Sequence, residues 1–491
     1  MNWRVKSLDD ILATAERRSL TRSLGGVQLM LLGVGAIIGT GIFVLTAEAA
    51  QKAGPGMMLS FVIAGFVCAV TALCYAELAS MVPVSGSAYT YSYAVLGELV
   101  AWIVGWALIL EYAVAASAVS VGWSNYFVGV LHRLLHIDLP IELTKGPFAG
   151  GVVNLPAMVI ALVCTSLLVL GTRESAKVNA VLVTIKITAL AIFVFLAVPA
   201  IQADNFTPFM PLGFDGVAGA ASSIFFAYVG FDAVSTAAEE TRDPQRNVPF
   251  GLIGSLVLCT AFYLLVASGA IGTIGAQPVY GPNHEILSPG SIEWASACKA
   301  ATRPLLSCSD EPLAFVLQQI GYNKIAGLIG LAAFVALPSV ILMMLFGQTR
   351  LFFAMARDGL LPSFLNKLHP KYHTPHVVTI ITGVGVTVFS GFFPVGLLAD
   401  VSNSGTLCAF FMVSIGVMIL RRKDPGRRRS FRVPAVWVVG PLAVLGCAYL
   451  FYHLPTKTNL FFIGWTAVGL LAYALYGYAH SDMGKGGRKS A

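Results

Sequence analysis

Apolar residues run in stretches long enough to cross a bilayer, and polar residues are confined to the connections between them. A helix needs about 20 mostly apolar residues to span the hydrocarbon core. Twelve stretches meet that length, at roughly 27–51, 56–82, 97–131, 153–171, 176–200, 214–238, 248–275, 325–354, 377–394, 397–420, 434–453 and 459–479. An even number of spans puts both termini on one face. Between spans 2 and 3, MVPVSGSAYTYSYAVLGE (81–98) carries proline, glycine and three tyrosines but no Lys or Arg. That segment predicts a short helix tucked against the mouth of the protein on the terminal face.

Two spans break their own pattern. Span 1 contains GVGAIIGTGIFV (33–44), with Gly33, Gly35, Gly39 and Gly41 in close succession. Each glycine costs a helix interior about 1 kcal/mol relative to alanine, so the helix is expected to part at Gly39-Thr40-Gly41. Span 6 reads GVAGAASSIFFAYVGFDAVSTAAEE (216–240) and places Gly230 and Asp232 deep in an apolar run. Broken backbone at membrane depth survives only where it is buried in protein or lines a cavity. The breaks lie five spans apart, and five is odd. The second set of helices therefore crosses the membrane in the opposite sense, the signature of an inverted repeat with a solute site between the breaks.

The resulting division is an N-terminal segment (1–26), a first five-helix repeat (27–200), an inverted second repeat (201–420), helices 11 and 12 (421–480) and a tail (481–491). Direction then sets the chemistry. The second half of span 1 presents free amides around Thr40, Gly41 and Ile42. The first half of span 6 ends in the carbonyls of Phe226, Ala227 and Val229. Amides at a helix start carry partial positive charge and carbonyls at a helix end carry partial negative charge. The pair suits a small zwitterion, an α-amino acid.

Composition excludes a soluble protein: 57% of the 491 residues are hydrophobic and 11% are charged, against about 25% charged in soluble domains. The formal net charge of +7 is no nucleic-acid signal, because its distribution follows membrane orientation. With the N-terminus inside, 23 Lys and Arg fall in inside segments and 7 in outside ones, which places both termini in the cytoplasm. The run RRKDPGRRRSFR (421–432) is the strongest anchor, read as a positive-inside stop rather than as a lipid-headgroup site. Residues 1–24 are polar, and the first apolar run, from near Val27, is too long for the core of a cleavable signal peptide; with Ser7 as a cap residues 1–24 read as an amphipathic helix lying on the inner leaflet. The location expected is the plasma membrane, the inner membrane of a bacterium.

Ionisable residues inside spans mark function by default. Lys186 in span 5 lies about 15 Å along its helix, near the midplane. As an ammonium it can bridge the carbonyls ending the first half of span 1 and polar groups on span 8, much as a sodium ion would; deprotonated, it lets go. Glu111 in span 3 either pairs with a buried group or senses protons. Asp232 is read as the cap of the second half of span 6, and Glu77 as structural. Six of the eight cysteines fall in apolar segments; Cys298 and Cys308 lie ten apart in the long outer loop, as a disulfide or as two free thiols. No intramembrane histidine cluster points to a metal, and no nucleophile–base pair points to an enzyme. No cofactor is expected, and the coupling ion is a proton. An accessory subunit is left open.

Several segments carry a family resemblance: GVGAIIGTGIFVLTAEAA (33–50), YAELASMVPVSGSAYTYSY (75–93), GTRESAKVNAVLVTIK (171–186), FFAYVGFDAVSTAAEETRDPQRNVP (225–249) and GQTRLFFAMARDGLLP (347–362). In this order they resemble the amino acid–polyamine–organocation superfamily, and within it the cationic amino acid transporter branch of the bacterial twelve-span type. The resemblance implies an all-α membrane fold of the leucine-transporter type, five-plus-five inverted repeats with two extra helices. It gives Ile37, Thr40 and Gly41, with Ile42 beside them, the substrate carboxylate. Phe226, Ala227 and Val229 receive the amino group, Leu337 and Tyr228 the side-chain pocket, and Lys186 with Glu111 the proton coupling. Span 8 departs from a cation-binding wall: AAFVALPSVILMML (332–345) has no acidic residue. A proton-coupled importer of small neutral amino acids such as alanine is therefore expected. Its rivals are an arginine or lysine transporter, a sodium symporter and a non-transporting amino acid sensor.

Overall fold

The computed structural model describes residues 24–82, 87–171, 176–236, 241–283, 285–287, 291–301, 304–372 and 374–484. Residues 1–23, all but the last residue of the expected amphipathic helix, and the last residues of the tail, 485–491, lie outside that set. Among the described residues there is helix and loop, with two isolated β-bridges and no strand.

The expected spans form in order. Span 1 is Gly26–Ile37, then Thr40–Phe43 and Leu45–Ala53; span 2 is Met57–Met81. Span 3 is Glu98–Val130, prolonged by a π-helical turn, Leu131–Leu135. Spans 4 and 5 are Leu155–Val169 and Ala176–Ala197. Span 6 is Gly213–Ile224, Phe225–Tyr228 and Ala233–Thr236. Spans 7 to 12 are Pro244–Ile274, Asn323–Arg357, His376–Phe392, Val395–Lys423, Val436–Tyr452 and Thr456–Ala472. The tyrosine-rich connection forms the short helix Ser87–Val95, as its composition predicted.

Packing sorts the spans into an inner set and a rim. Span 3 lies against spans 8 and 10, and span 7 against spans 1 and 2. Spans 11 and 12 sit outside this core. Tyr452 and Leu475 are 79% and 82% exposed, which is tolerable because lipid, not water, faces them. Indole stacking fastens span 12 to span 3: Trp102, Trp106 and Trp465 stack, and their N–H groups donate across the contact to the carbonyls of Gly469, Trp465 and Trp106 (2.8, 2.8 and 2.9 Å).

Each face of the bundle carries a buried carboxylate clamp. On the terminal face, Glu77 of span 2 accepts from Arg421 Nε and Nη2 (both 2.6 Å), from Arg429 Nε (3.0 Å) and from the Val433 amide (2.7 Å). Two arginines of the basic run therefore fold inward and pin the connection after span 10, rather than all seven basic groups facing lipid. On the opposite face, Glu311 receives Arg133 of the π-turn at 2.5 and 3.3 Å. Burial pushes the Glu311 carboxyl up to about 7, against the pull of the Arg133 guanidinium.

Two outcomes follow from these clamps. Glu77→Gln leaves the buried Arg429 without its counter-charge and is expected to cost about 3–5 kcal/mol, read as a lower unfolding temperature in lipid nanodiscs. Glu311 binds its proton more tightly folded than unfolded. Its contribution is full below the ordinary carboxylate range and is lost as pH rises to about 7. The melting-temperature advantage of wild type over Glu311→Gln should accordingly shrink by a few degrees between pH 5 and 7 and stay flat above.

Candidate functional site: two broken helices face to face

The first half of span 1 ends at Ile37. Ile38 turns extended, with ψ 95°, and Gly39 is extended at φ −146° and ψ −149°. The helix restarts at Thr40, where the Phe43 amide returns to Gly39 O (3.4 Å) and the Val44 amide to Thr40 O (2.8 Å). The amides of Thr40, Gly41 and Ile42 belong to the first turn and have no carbonyl behind them in the helix. Thr40 is fully buried, and its hydroxyl has no hydrogen-bond partner among the described residues. An orphaned buried hydroxyl costs about 1–3 kcal/mol, which a bound ligand would relieve.

Span 6 parts opposite. Its first half tightens into the 3₁₀ turn Phe225–Tyr228, Val229 is extended at ψ 136°, and Gly230 adopts φ +112° against Ala36. Only glycine takes that conformation at little cost. The two breaks touch: a Cβ on Gly41 would collide with the backbone of Ala227. Close approach of the two backbones thus explains Gly41 independently of helix breaking.

One residue of the site was hidden in the sequence. The Tyr263 hydroxyl of span 7 lies 2.9 Å from both Ile37 O and Ala227 O, sharing its proton between the two breaks. Nothing in its apolar surroundings separates it from an ordinary core tyrosine. Ile37 O at the end of the first half-helix thus accepts from Tyr263. Phe226 O accepts the Val229 amide at 3.2 Å. The Tyr228 hydroxyl is committed to Phe61 O of span 2 (3.0 Å), and its ring meets Tyr263 edge-on. Leu337 is fully buried in span 8, but the span-8 side chain placed over Gly39 is Val340, 3.5 Å from a Cβ position there. The wall beside the break is aliphatic.

Lys186 is 1% exposed and reaches where its depth predicted. Its Nζ donates to Gly35 O of span 1 (2.8 Å) and to Ser339 Oγ of span 8 (3.3 Å). The ammonium thus ties three spans beside the break. Glu111 of span 3 and Asp232 of span 6 are both buried. Tyr112 donates to Asp232 at 3.4 Å, and neither Glu111 carboxylate oxygen has a hydrogen-bond partner among the described residues. Thr406 of span 10 donates to Ser402 O (3.3 Å).

On the face away from the termini the breaks are covered. Lys52, counted from sequence among the connections, lies between helices: its Nζ is 2.9 Å from Glu48, 3.2 Å from Asp400 and 2.5 Å from Ser223 Oγ. Ser223 donates to Asp400 (2.5 Å), and Asn403 holds Ser222 O and Ser223 O (2.7 and 3.2 Å). This network joins the second half of span 1, the first half of span 6 and span 10. The loop above is closed by a disulfide between Cys298 and Cys308, with Cα atoms 5.5 Å apart. No cluster of His, Cys, Asp or Glu suited to a metal occurs among the described residues.

The profile of the amino acid permease family matches residues 24–476. The chain is 45% identical to the branched-chain amino acid permease BcaP of Bacillus subtilis, over 98% of each chain. It is 42% identical to the methylthioribose transporter of Bacillus subtilis, over 98% of this chain and 99% of that one. Against cationic amino acid transporter 9, chloroplastic, of Arabidopsis thaliana it is 35% identical over 94% of this chain and 78% of the relative. Broken helices, twelve spans and these relatives agree on the leucine-transporter-type fold. The chain belongs to the amino acid permease family of the amino acid–polyamine–organocation superfamily, whose members are membrane transporters and not enzymes.

Proposed function

We propose that this permease imports small neutral aliphatic amino acids by alternating access, driven by protons. The observation that carries the reading is the Lys186 ammonium, held by Gly35 O and Ser339 Oγ beside the span 1 break. A cation is needed there to hold the carbonyl end of span 1 against spans 5 and 8. The lysine supplies it from the protein itself, so a sodium ion is not required. Removing its proton removes the charge and loosens the tie. The buried Glu111 and Asp232 offer carboxylates through which a proton can leave toward the terminal face.

The substrate carboxylate is assigned to the amides of Thr40, Gly41 and Ile42, with the Thr40 hydroxyl. The amino group is assigned to the carbonyls at the end of the Phe225–Tyr228 turn. Val340 and Leu337 supply an aliphatic wall without a counter-charge for arginine or lysine, in keeping with a relative named for branched-chain amino acids. The Lys and Arg distribution, 23 against 7, favours termini in the cytoplasm of a bacterial plasma membrane. The repeats are assigned to 27–200 and 201–420.

The test is uptake of labelled alanine and leucine into sodium-free proteoliposomes under an inward proton gradient. Wild type is expected to accumulate both, with unlabelled arginine and methylthioribose competing poorly. Lys186→Ala should lose the response to the gradient by about tenfold or more while still exchanging amino acids. Accumulation that requires sodium, or that ignores the loss of Lys186, would overturn the coupling; preferential uptake of arginine or methylthioribose would overturn the substrate class.

A further inference from the structure

Span 8 carries a proline in its interior, Pro338. Proline has no amide proton, and its ring presses on the carbonyl four residues back. That carbonyl is Phe334 O, which thereby loses its helical donor. Inside a span no water stands in for it. The donor comes instead from span 3: the Trp123 indole N–H reaches Phe334 O at 2.9 Å. Trp123 is buried, and its ring stacks on Phe127 and Phe334 with centroids 5.0 and 5.2 Å apart. The cluster restrains the indole with its N–H aimed at the freed carbonyl.

The two residues after the proline face the span 1 break. Ser339 accepts from Lys186 Nζ (3.3 Å) and donates to Ala336 O (2.7 Å). Val340 lies over Gly39. Span 3 is itself seated on the restart of span 1. A Cβ on Gly122 would come within 2.5 Å of Thr40 Cγ2, and the Tyr126 hydroxyl donates to Phe43 O at 2.7 Å. Gly122, Trp123 and Tyr126 therefore connect the restart of span 1 to the proline step of span 8 through one continuous helix. An apolar ring at 123 would fill the same space. Only the N–H answers the carbonyl that Pro338 releases.

We propose that Trp123 is a positioning residue of the transport site. By holding Phe334 O it fixes span 8 at the step before Ser339. It thereby sets how firmly Ser339 receives Lys186 and how closely Val340 covers Gly39. Its action runs through span 8. The role rests on the coupling assigned above to Lys186; the hydrogen bond to Phe334 O and the seating of span 3 on span 1 do not.

The test compares wild type, Trp123→Phe, Pro338→Ala and the double variant Trp123→Phe/Pro338→Ala. Trp123→Phe keeps an aromatic ring and removes the N–H. Pro338→Ala gives Phe334 O an amide of its own helix, so the double variant has a satisfied carbonyl but no proline step. Unfolding temperature is measured in nanodiscs. Proton-driven accumulation of alanine and gradient-free alanine exchange are measured in sodium-free proteoliposomes. Trp123→Phe is expected to lower the unfolding temperature and to reduce accumulation relative to exchange about fivefold. In the double variant the unfolding temperature should recover while that ratio stays low. A ratio that recovers together with the unfolding temperature would reduce Trp123 to a structural donor and overturn the positioning role. So would a Trp123→Phe protein with the wild-type ratio. If Trp123→Phe does not fold, the double variant decides by the same ratio. A response to the gradient that survives Lys186→Ala would instead overturn the proposed coupling, and this role with it.

Discussion

A peptide group freed inside a bilayer has no water to turn to. The architecture around spans 1 and 6 is a response to that constraint. Both helices are interrupted at the same depth, and each interruption is covered by the other: Gly41 lies against Ala227 and Gly230 against Ala36. Tyr263 serves Ile37 O and Ala227 O with one hydroxyl. What is left over is the amides of Thr40 to Ile42 and the unpartnered Thr40 hydroxyl. The protein satisfies most of the freed backbone itself and leaves a small polar remainder at the breaks.

Charge is distributed around this remainder with the same economy. Lys186 ties the first half of span 1 to spans 5 and 8, and Lys52 ties its second half to spans 6 and 10. The two halves of one broken helix are thus held by separate cations to separate partners. The outer clamps at Glu77 and Glu311 hold connections, not the breaks.

The sequence was most legible where backbone chemistry dominates. Glycine spacing located both breaks, apolar length located the spans, and the depth of Lys186 predicted its contacts with spans 1 and 8. Contacts that need side chains from distant spans were not legible. Tyr263 looks like any tyrosine in an apolar helix, and Lys52 looks like a loop cation until Asp400, far along the chain, is brought beside it. The even balance between bridge and free thiols at Cys298 and Cys308 could not be resolved by spacing, and the fold pairs them. At the span-8 wall Leu337 is buried, and Val340, three residues on and on the same helix face, lies against Gly39.

The central claim is that a proton on Lys186 stands where a coupling cation would. It is tested most directly by alanine binding to the purified protein in nanodiscs as a function of pH, for wild type and Lys186→Met, with and without sodium. Wild-type affinity should fall as pH rises, by up to about tenfold per pH unit, and sodium should have no effect. The Lys186→Met protein should bind with an affinity independent of pH. A pH dependence that survives the substitution, or an affinity that rises with sodium, would contradict it.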